Sequence, residues 1–141
     1  IAGTLLEKDC LAIFVLDIDD FKSINDNYGH PIGDLVIEKV ADIAKNMLRS
    51  EDVIGRIGGE EFLCVLPKSS SDTAKKIAMR MKEEISAYLF NIEQGHTFSV
   101  TVSIGVSCIS QEVDNSKALY ALADQALYRA KNSGKNCVNV I

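Results

Sequence analysis

The run Leu11-Ala-Ile-Phe-Val-Leu16 is apolar without a break and rich in strand formers, and it stops in Asp17-Ile18-Asp19-Asp20, where charge enters at once. A short continuous apolar run fits a central strand buried on both faces rather than one that shows alternate residues to water. Such a strand needs helices packed over it.

The rest of the chain supplies them. Phe21 to Tyr28 reads as a short helix or turn closed by Gly29, and Pro31 suits the first turn of the next helix. Val36, Val40, Ile43, Ala44 and Met47 then recur at helical spacing. Ala74, Ile77, Ala78, Met81, Ile85 and Leu89 mark a further helix, with Ser69 to Asp72 as loop and N-cap. Ala118, Leu119, Leu122, Ala123, Ala126, Leu127 and Ala130 mark a last one, stopped by Asn132-Ser133-Gly134. Val53 to Ile57 and Glu61 to Leu66 read as strands around Gly58-Gly59, a two-residue hairpin signal. Phe98, Val100, Val102, Ile104 and Val106 alternate as in a half-buried strand, and Cys137 to Ile141 reads as a final one. The order β-α-α-β-β-α-β-α-β implies α/β (α+β) architecture. Its core is a ferredoxin-like βαββαβ unit with extra elements, a mixed central sheet flanked by helices. No linker or repeat interrupts it, so residues 1–141 read as one domain.

Hydrophobic residues make up 47% of the 141, enough for a core. The formal net charge of −5 argues against a broad nucleic-acid-binding face, while a metal and a few local cations could still hold a small anion. Cys10, Cys64, Cys108 and Cys137 are scattered, with no CxxC spacing, and read as small reduced core residues; this favours the cytoplasm. No apolar run is long enough to span a membrane and no signal peptide opens the chain. A parent protein could still be membrane-anchored, since Ile1 starts abruptly.

Two acidic clusters fall where a sheet opens to solvent: Asp17-Ile18-Asp19 at the carboxyl end of the central strand, and Glu60-Glu61 at the hairpin tip. If the hairpin pairs beside the central strand, they converge. Close carboxylates raise one another's pKa unless a divalent cation neutralises them. Oxygen ligands without His or Cys suit Mg²⁺ or Mn²⁺, and Mg²⁺ draws its other ligands from phosphates. Solvated turn acids beside a tight glycine turn explain the same residues, and position alone leaves both readings open.

Phe21-Lys22-Ser23-Ile24-Asn25-Asp26, Gly29-His30-Pro31-Ile32-Gly33-Asp34 and Arg56-Ile57-Gly58-Gly59-Glu60-Glu61-Phe62 follow Asp17-Ile18-Asp19 in order. With Leu127 to Asn136, this set resembles the GGDEF family of diguanylate cyclases, in a GGEEF form, over nearly the whole chain. The resemblance implies a nucleotide-cyclase-like domain that condenses two GTP into cyclic di-GMP and two pyrophosphates. It implies that Asp17, Glu60, Glu61 and the Ile18 carbonyl hold two Mg²⁺ or Mn²⁺ ions, which can clamp the attacking and leaving oxygens of an in-line displacement. Glu60 becomes a candidate to help deprotonate the 3′-hydroxyl, and Lys22 a catalytic cation balancing phosphate charge in the transition state. Asn25 and Asp34 match the guanine-recognition pair, and His30 and Gly59 further substrate positions. Lys22, Lys131 and Lys135 match triphosphate contacts. Lys131 and Lys135 are four apart, so both could face one way near a helix end. Asp19 is open between a site role and a structural one.

Arg49-Ser50-Glu51-Asp52 matches the family's inhibitory RxxD site for product, with Arg80 as a possible helper; an exposed i,i+3 ion pair is the plain alternative. The family's opening Asp-x-Leu-Thr-Gly-Leu-x-Asn-Arg-Arg stretch is missing, and Ile1 to Cys10 reads as the end of the helix after it. Lys135 stands where many members have Arg, so positive charge is kept and bidentate geometry lost. The resemblance also implies a homodimer, one GTP per domain, under an N-terminal sensor or receiver module. Two other classes compete: a cyclic di-GMP sensor working through Arg49 and Asp52, and a GTP-binding regulator of a phosphodiesterase. An intact loop and the complete set Asp17, Lys22, Asn25, Asp34, Glu60 and Glu61 favour the cyclase.

Overall fold

The Leu11–Leu16 run does become the centre of a sheet. A computed structural model describes residues 10–109 and 115–141, the side chains of Gln94 and Ser116 apart. The expected helix end at Ile1 to Cys10 therefore lies outside the described residues except for Cys10. Strand β1 (Leu11–Ile18) is flanked by β3 (Glu61–Pro67) and β6 (Val102–Cys108), both antiparallel to it. Strand β2 (Val53–Arg56) pairs antiparallel with β3, so β1 and β2 run parallel with β3 inserted between them. That is the split β-α-β arrangement. Strand β7 (Val138–Val140) extends the sheet parallel to β6, giving the order β2-β3-β1-β6-β7.

Alternate residues of β1 serve two cores. Ala12, Phe14, Leu16 and Ile18 pack under α1 (Phe21–Tyr28), α2 (His30–Asn46) and α3 (Ser71–Ala87). Ile13 and Val15 pack under α4 (Ser116–Asn132) through Leu119, Ala123 and Leu127. The predicted breakers and caps stand at helix ends. Gly29 has φ 89 between α1 and α2, Ser70 caps α3 by accepting from the Thr73 N–H, and Ser133-Gly134 ends α4 with Gly134 at φ 117.

The stretch 98–106 departs from the expected half-buried strand. Phe98 belongs to β5 (His96–Phe98), which forms a separate ribbon with β4 (Phe90–Ile92) about a turn at Gly95, φ 75. Rings hold that ribbon: Tyr28 on Phe98 at 4.4 Å between centroids, Phe98 on Phe90 at 5.2 Å, and Phe90 against Tyr88 at 4.8 Å. Helix α3 accordingly ends at Ala87, and Leu89 is 59% exposed rather than part of its apolar face. In β6 the residues between the large apolar ones, Ser103, Gly105 and Ser107, do not meet water. A Cβ at Gly105 would stand 2.1 Å from the Leu127 N and 2.2 Å from the Ala123 O, so the backbone of α4 lies directly on the strand. Ser107 Oγ donates to the Leu119 O at 2.6 Å. Small polar residues that look like a solvent face are the seat of a helix.

The glycine loop is wider than a two-residue hairpin. Strand β2 ends at Arg56, and the Ile57 N–H donates to the Glu61 O at 3.0 Å. Neither Gly58 nor Gly59 has the positive φ that the tightest hairpin turn requires. Cys64 is buried, which pushes its thiol pKa up, while Cys10, Cys108 and Cys137 are only partly buried. No described helix is long and apolar enough to cross a membrane.

Candidate active site

Strand pairing brings the two acidic clusters together. Asp17 stands directly across the β1–β3 ladder from Glu61, and the Ile18 N–H donates to the Glu60 O at 3.2 Å. Asp17 and Glu61 share the face covered by α4, and Lys131 from the last turn of α4 closes on them, its Nζ 2.5 Å from Asp17 Oδ2. Asp17 is only 5% exposed, and its other oxygen, Oδ1, is buried with no hydrogen-bond partner. Burial is the main force raising the Asp17 pKa; the Lys131 hydrogen bond and charge oppose it, and the Glu60 and Asp19 charges add to it. Burial also raises Glu61, followed by repulsion from Asp17 and then Asp124. These carboxylates carry more negative charge than one lysine answers.

The other expected residues fall around this centre. Gly59 is exposed at the loop tip, with open space where a Cβ would be. Lys22 is exposed in the first turn of α1. Asn25, on α1, turns its Oδ1 into the space above Gly33 of α2, where it is buried without a partner. His30 and Asp34 are exposed in the opening turns of α2. Lys135 does not share a helix face with Lys131, because α4 ends at Asn132 and Lys135 sits beyond it at φ 63. The turn nevertheless returns it to the same end of the sheet, where its Nζ lies 2.7 Å from Asp20 Oδ1. That hydrogen bond raises the lysine pKa.

Arg49 and Asp52 lie on the loop between α2 and β2, beyond the last helical turn. They are no exposed helical pair. The Asp52 carboxylate is fully buried and takes Arg49 Nη2 at 2.8 Å, Nε at 3.0 Å and the Arg49 backbone N–H at 2.9 Å. The guanidinium also donates to the Pro67 O at 3.0 Å and to Ser69 Oγ. A groove of about 610 Å³ opens here between α2 and β2, lined by Asp42, Lys45, Arg49, Asp52 and Arg56 among others and by none of Asp17, Glu60 or Glu61. Arg80 is exposed on α3, beside a different depression lined by Asp72, Lys75 and Glu83.

Sequence reasoning gave no role to several residues. Arg56 braces the glycine loop, donating to the Gly59 O at 2.7 Å and 3.0 Å and to the Gly58 O at 3.1 Å. Its place just before the double glycine was the available signal. Asp20 as the partner of Lys135, and Asp124 beside Glu61, could not be found from spacing, since each depends on how α4 meets the sheet.

Fold and site together define the class: a ferredoxin-like α+β domain with a carboxylate–lysine cluster at the carboxyl end of its central strand. The family model described as the diguanylate cyclase GGDEF domain matches residues 3–137, and this chain belongs to that family. It is 40% identical to diguanylate cyclase A of Treponema denticola over 95% of this chain and 36% of that protein. It is also 40% identical to the response regulator PleD of Caulobacter vibrioides over 94% of this chain and 30% of that protein. The chain thus spans about a third of the curated relatives it matches. Among solved structures, the GGDEF domain of DgcB from Caulobacter crescentus in complex with c-di-GMP superposes with a TM-score of 0.88 at 29% identity, over 93% of this chain and 77% of that one. The active GGEEF domain of a diguanylate cyclase from Vibrio cholerae gives 0.87 at 32%, over 94% and 83%.

Proposed function

We propose that this chain is the catalytic domain of a diguanylate cyclase, joining two GTP into cyclic di-GMP with loss of two pyrophosphates. The observation that carries the reading is the register of β1 on β3, which sets Asp17 opposite Glu61 with Glu60 hydrogen-bonded to Ile18 and Lys131 alongside. The naming of its relatives as diguanylate cyclases supports it.

Asp17, Glu60, Glu61 and the Ile18 carbonyl would hold Mg²⁺ or Mn²⁺, two per site. The chain's residues fit such an ion. The donors are all oxygens, Asp17 Oδ1 is buried and unpartnered, and burial raises both paired carboxyls. Among the described residues no three acidic, His or Cys side chains converge on one point. Mg²⁺ takes one or two protein carboxylates and completes its shell from phosphates. When bound, the ion neutralises the carboxylates and eases ionisation of the attacking hydroxyl.

The protein's own groups do the rest. Asn25 and Asp34 hold guanine, Asp34 accepting from N1–H and N2–H₂, which adenine does not offer as a pair. His30 touches the substrate nearby, and Gly59 lets the loop backbone come close to it. Lys131, Lys135 and Lys22 receive the triphosphate, Lys22 countering charge that grows as the α-phosphate is attacked. Glu60 helps take the proton from the 3′-hydroxyl of the second GTP. Each domain holds one GTP, so two domains must face each other. A homodimer organised by an N-terminal sensor or receiver module provides that in the parent protein, on the cytoplasmic side where GTP is found. Product binds Arg49 and Asp52, with Arg80, and restrains the domain.

The test is to join two chains through a fused leucine zipper, add GTP and Mg²⁺, and follow products by chromatography and mass spectrometry. Cyclic di-GMP with two pyrophosphates per turnover is expected. Absence of product from the tethered dimer would overturn the reading.

A further inference from the structure

Asp19 is as buried as Asp17 but has opposite surroundings. Both of its oxygens are taken. Oδ1 accepts from Ser103 Oγ at 2.7 Å, and Oδ2 accepts from Thr101 Oγ1 at 2.7 Å and from the Asn136 N–H at 3.0 Å. Its own N–H donates to the Thr101 O at 2.9 Å. A buried polar group is tolerated away from water when hydrogen-bond partners converge on it. Here the donors come from two separate parts of the chain, the start of β6 and the turn after α4.

That turn needs holding. Gly134, Lys135 and Asn136 follow one another at φ 117, 63 and 49. Left-handed backbone costs an ordinary residue about 1–2 kcal/mol, and two of these three are not glycine. The turn is tied to α4 by the Lys135 N–H donating to the Ala130 O at 3.1 Å, and to the sheet by the Asn136 N–H on Asp19. Lys131 and Lys135 flank it, and their ammonium groups reach Asp17 and Asp20, the neighbours of Asp19 on the β1 side.

We infer that Asp19 is a positioning residue: its buried carboxylate anchors the strained turn after α4 and thereby aims Lys131 and Lys135 at the triphosphate. This rests on the reading of those lysines as phosphate contacts. Each Asp19 oxygen already accepts from a donor of this chain, so the inference assigns it no contact with metal or nucleotide.

The test is Asp19→Asn, which keeps the shape but puts an N–H₂ where an acceptor stood. Three measurements are made on it: exchange of the Asn136 amide by NMR, Mn²⁺ binding without nucleotide by EPR, and GTP binding by calorimetry. Loss of one charge-assisted anchor should expose the Asn136 amide, leave Mn²⁺ affinity unchanged and weaken GTP about tenfold. Adding Lys135→Ala to Asp19→Asn should then weaken GTP less than the same change does in the wild type, because the two act as a unit. Unchanged GTP affinity, full additivity, or loss of Mn²⁺ together with GTP would each overturn the inference, the last by making Asp19 a ligand. Thr101→Val, which removes one donor, should give the same pattern in smaller size if Asp19→Asn does not fold. A wild-type chain that binds no GTP would count against the proposed function instead, and the Asn136 amide would still report whether Asp19 holds the turn.

Discussion

Asn25 Oδ1 occupies the space that a side chain on Gly33 would need: a Cβ there would lie 1.8 Å from it. The glycine sits inside α2, where it costs about 1 kcal/mol relative to alanine, so the helix gives up stability to seat the amide of α1. In Gly33→Ala the helix should gain and Asn25 should swing away. The expected result is a folded protein with GTP KM raised about tenfold or more and weaker discrimination against ATP. Steady-state kinetics with both nucleotides would check it, and unchanged discrimination would remove Asn25 from guanine recognition.

Asp17 and Glu61 should make stability depend on metal and pH together. Burial raises both carboxyls, so the folded chain holds their protons more tightly than the unfolded one. The stability this gives is fully present below about pH 4, the ordinary carboxylate range, and is lost as pH rises through the raised folded values. At neutral pH Mg²⁺ should replace it, adding about 1.4 kcal/mol when the free ion is about tenfold above its Kd. Thermal melts in EDTA and in Mg²⁺ should differ at pH 7 and coincide near pH 4. Glu61→Gln should raise the metal-free Tm at pH 7 and shrink the Mg²⁺ response. Asp17→Ala and Glu61→Ala should cut cyclic di-GMP formation by about a hundredfold or more; full activity in either would end the metal assignment.

Arg49 should serve stability as well as inhibition. Arg49→Ala leaves the fully buried Asp52 carboxylate without its guanidinium partner, at a cost of about 2–3 kcal/mol. Arg49→Lys keeps a charge there and should cost less. Both should lose inhibition by cyclic di-GMP, since neither presents a fork to guanine. Urea melts and inhibition curves on the two variants separate the roles. An unchanged inhibition curve in Arg49→Ala would reject the product site.

Gly105→Ala drives a methyl group into the backbone of α4 rather than into a side chain that can turn aside. Overpacking of this kind costs about 1–3 kcal/mol, and α4 carries Lys131. The variant should melt lower and bind GTP more weakly, with the two effects tracking each other. A wild-type melt would show that the helix can slide.

The site was more legible in the sequence than the sheet around it. Asp17, the double glycine and Glu60-Glu61 stood at a strand end and a loop, and their convergence needed only that β3 pair with β1. The second ribbon was hidden because Phe98 and Val100 continue the alternation of β6 although the strand is interrupted between Phe98 and Val102. The tight glycine turn was misjudged because two glycines permit positive φ without demanding it. Lys131 and Lys135 were expected on one helix face. They reach the same place by another route, since Gly134 ends the helix first.

Taken alone, the sequence determined the helices and the strands of the main sheet to within a few residues, because apolar period, caps and breakers act locally. It also determined which residue types could hold a cation or a phosphate. Only the tertiary structure decided which of them meet. The register of β1 on β3 sets Asp17 against Glu61, the seat of α4 on Gly105 carries Lys131 to them, and the buried Asp19 ties down the turn that returns Lys135. These contacts join residues far apart in the chain, so they are fixed by packing across the sheet, and no local pattern encodes them.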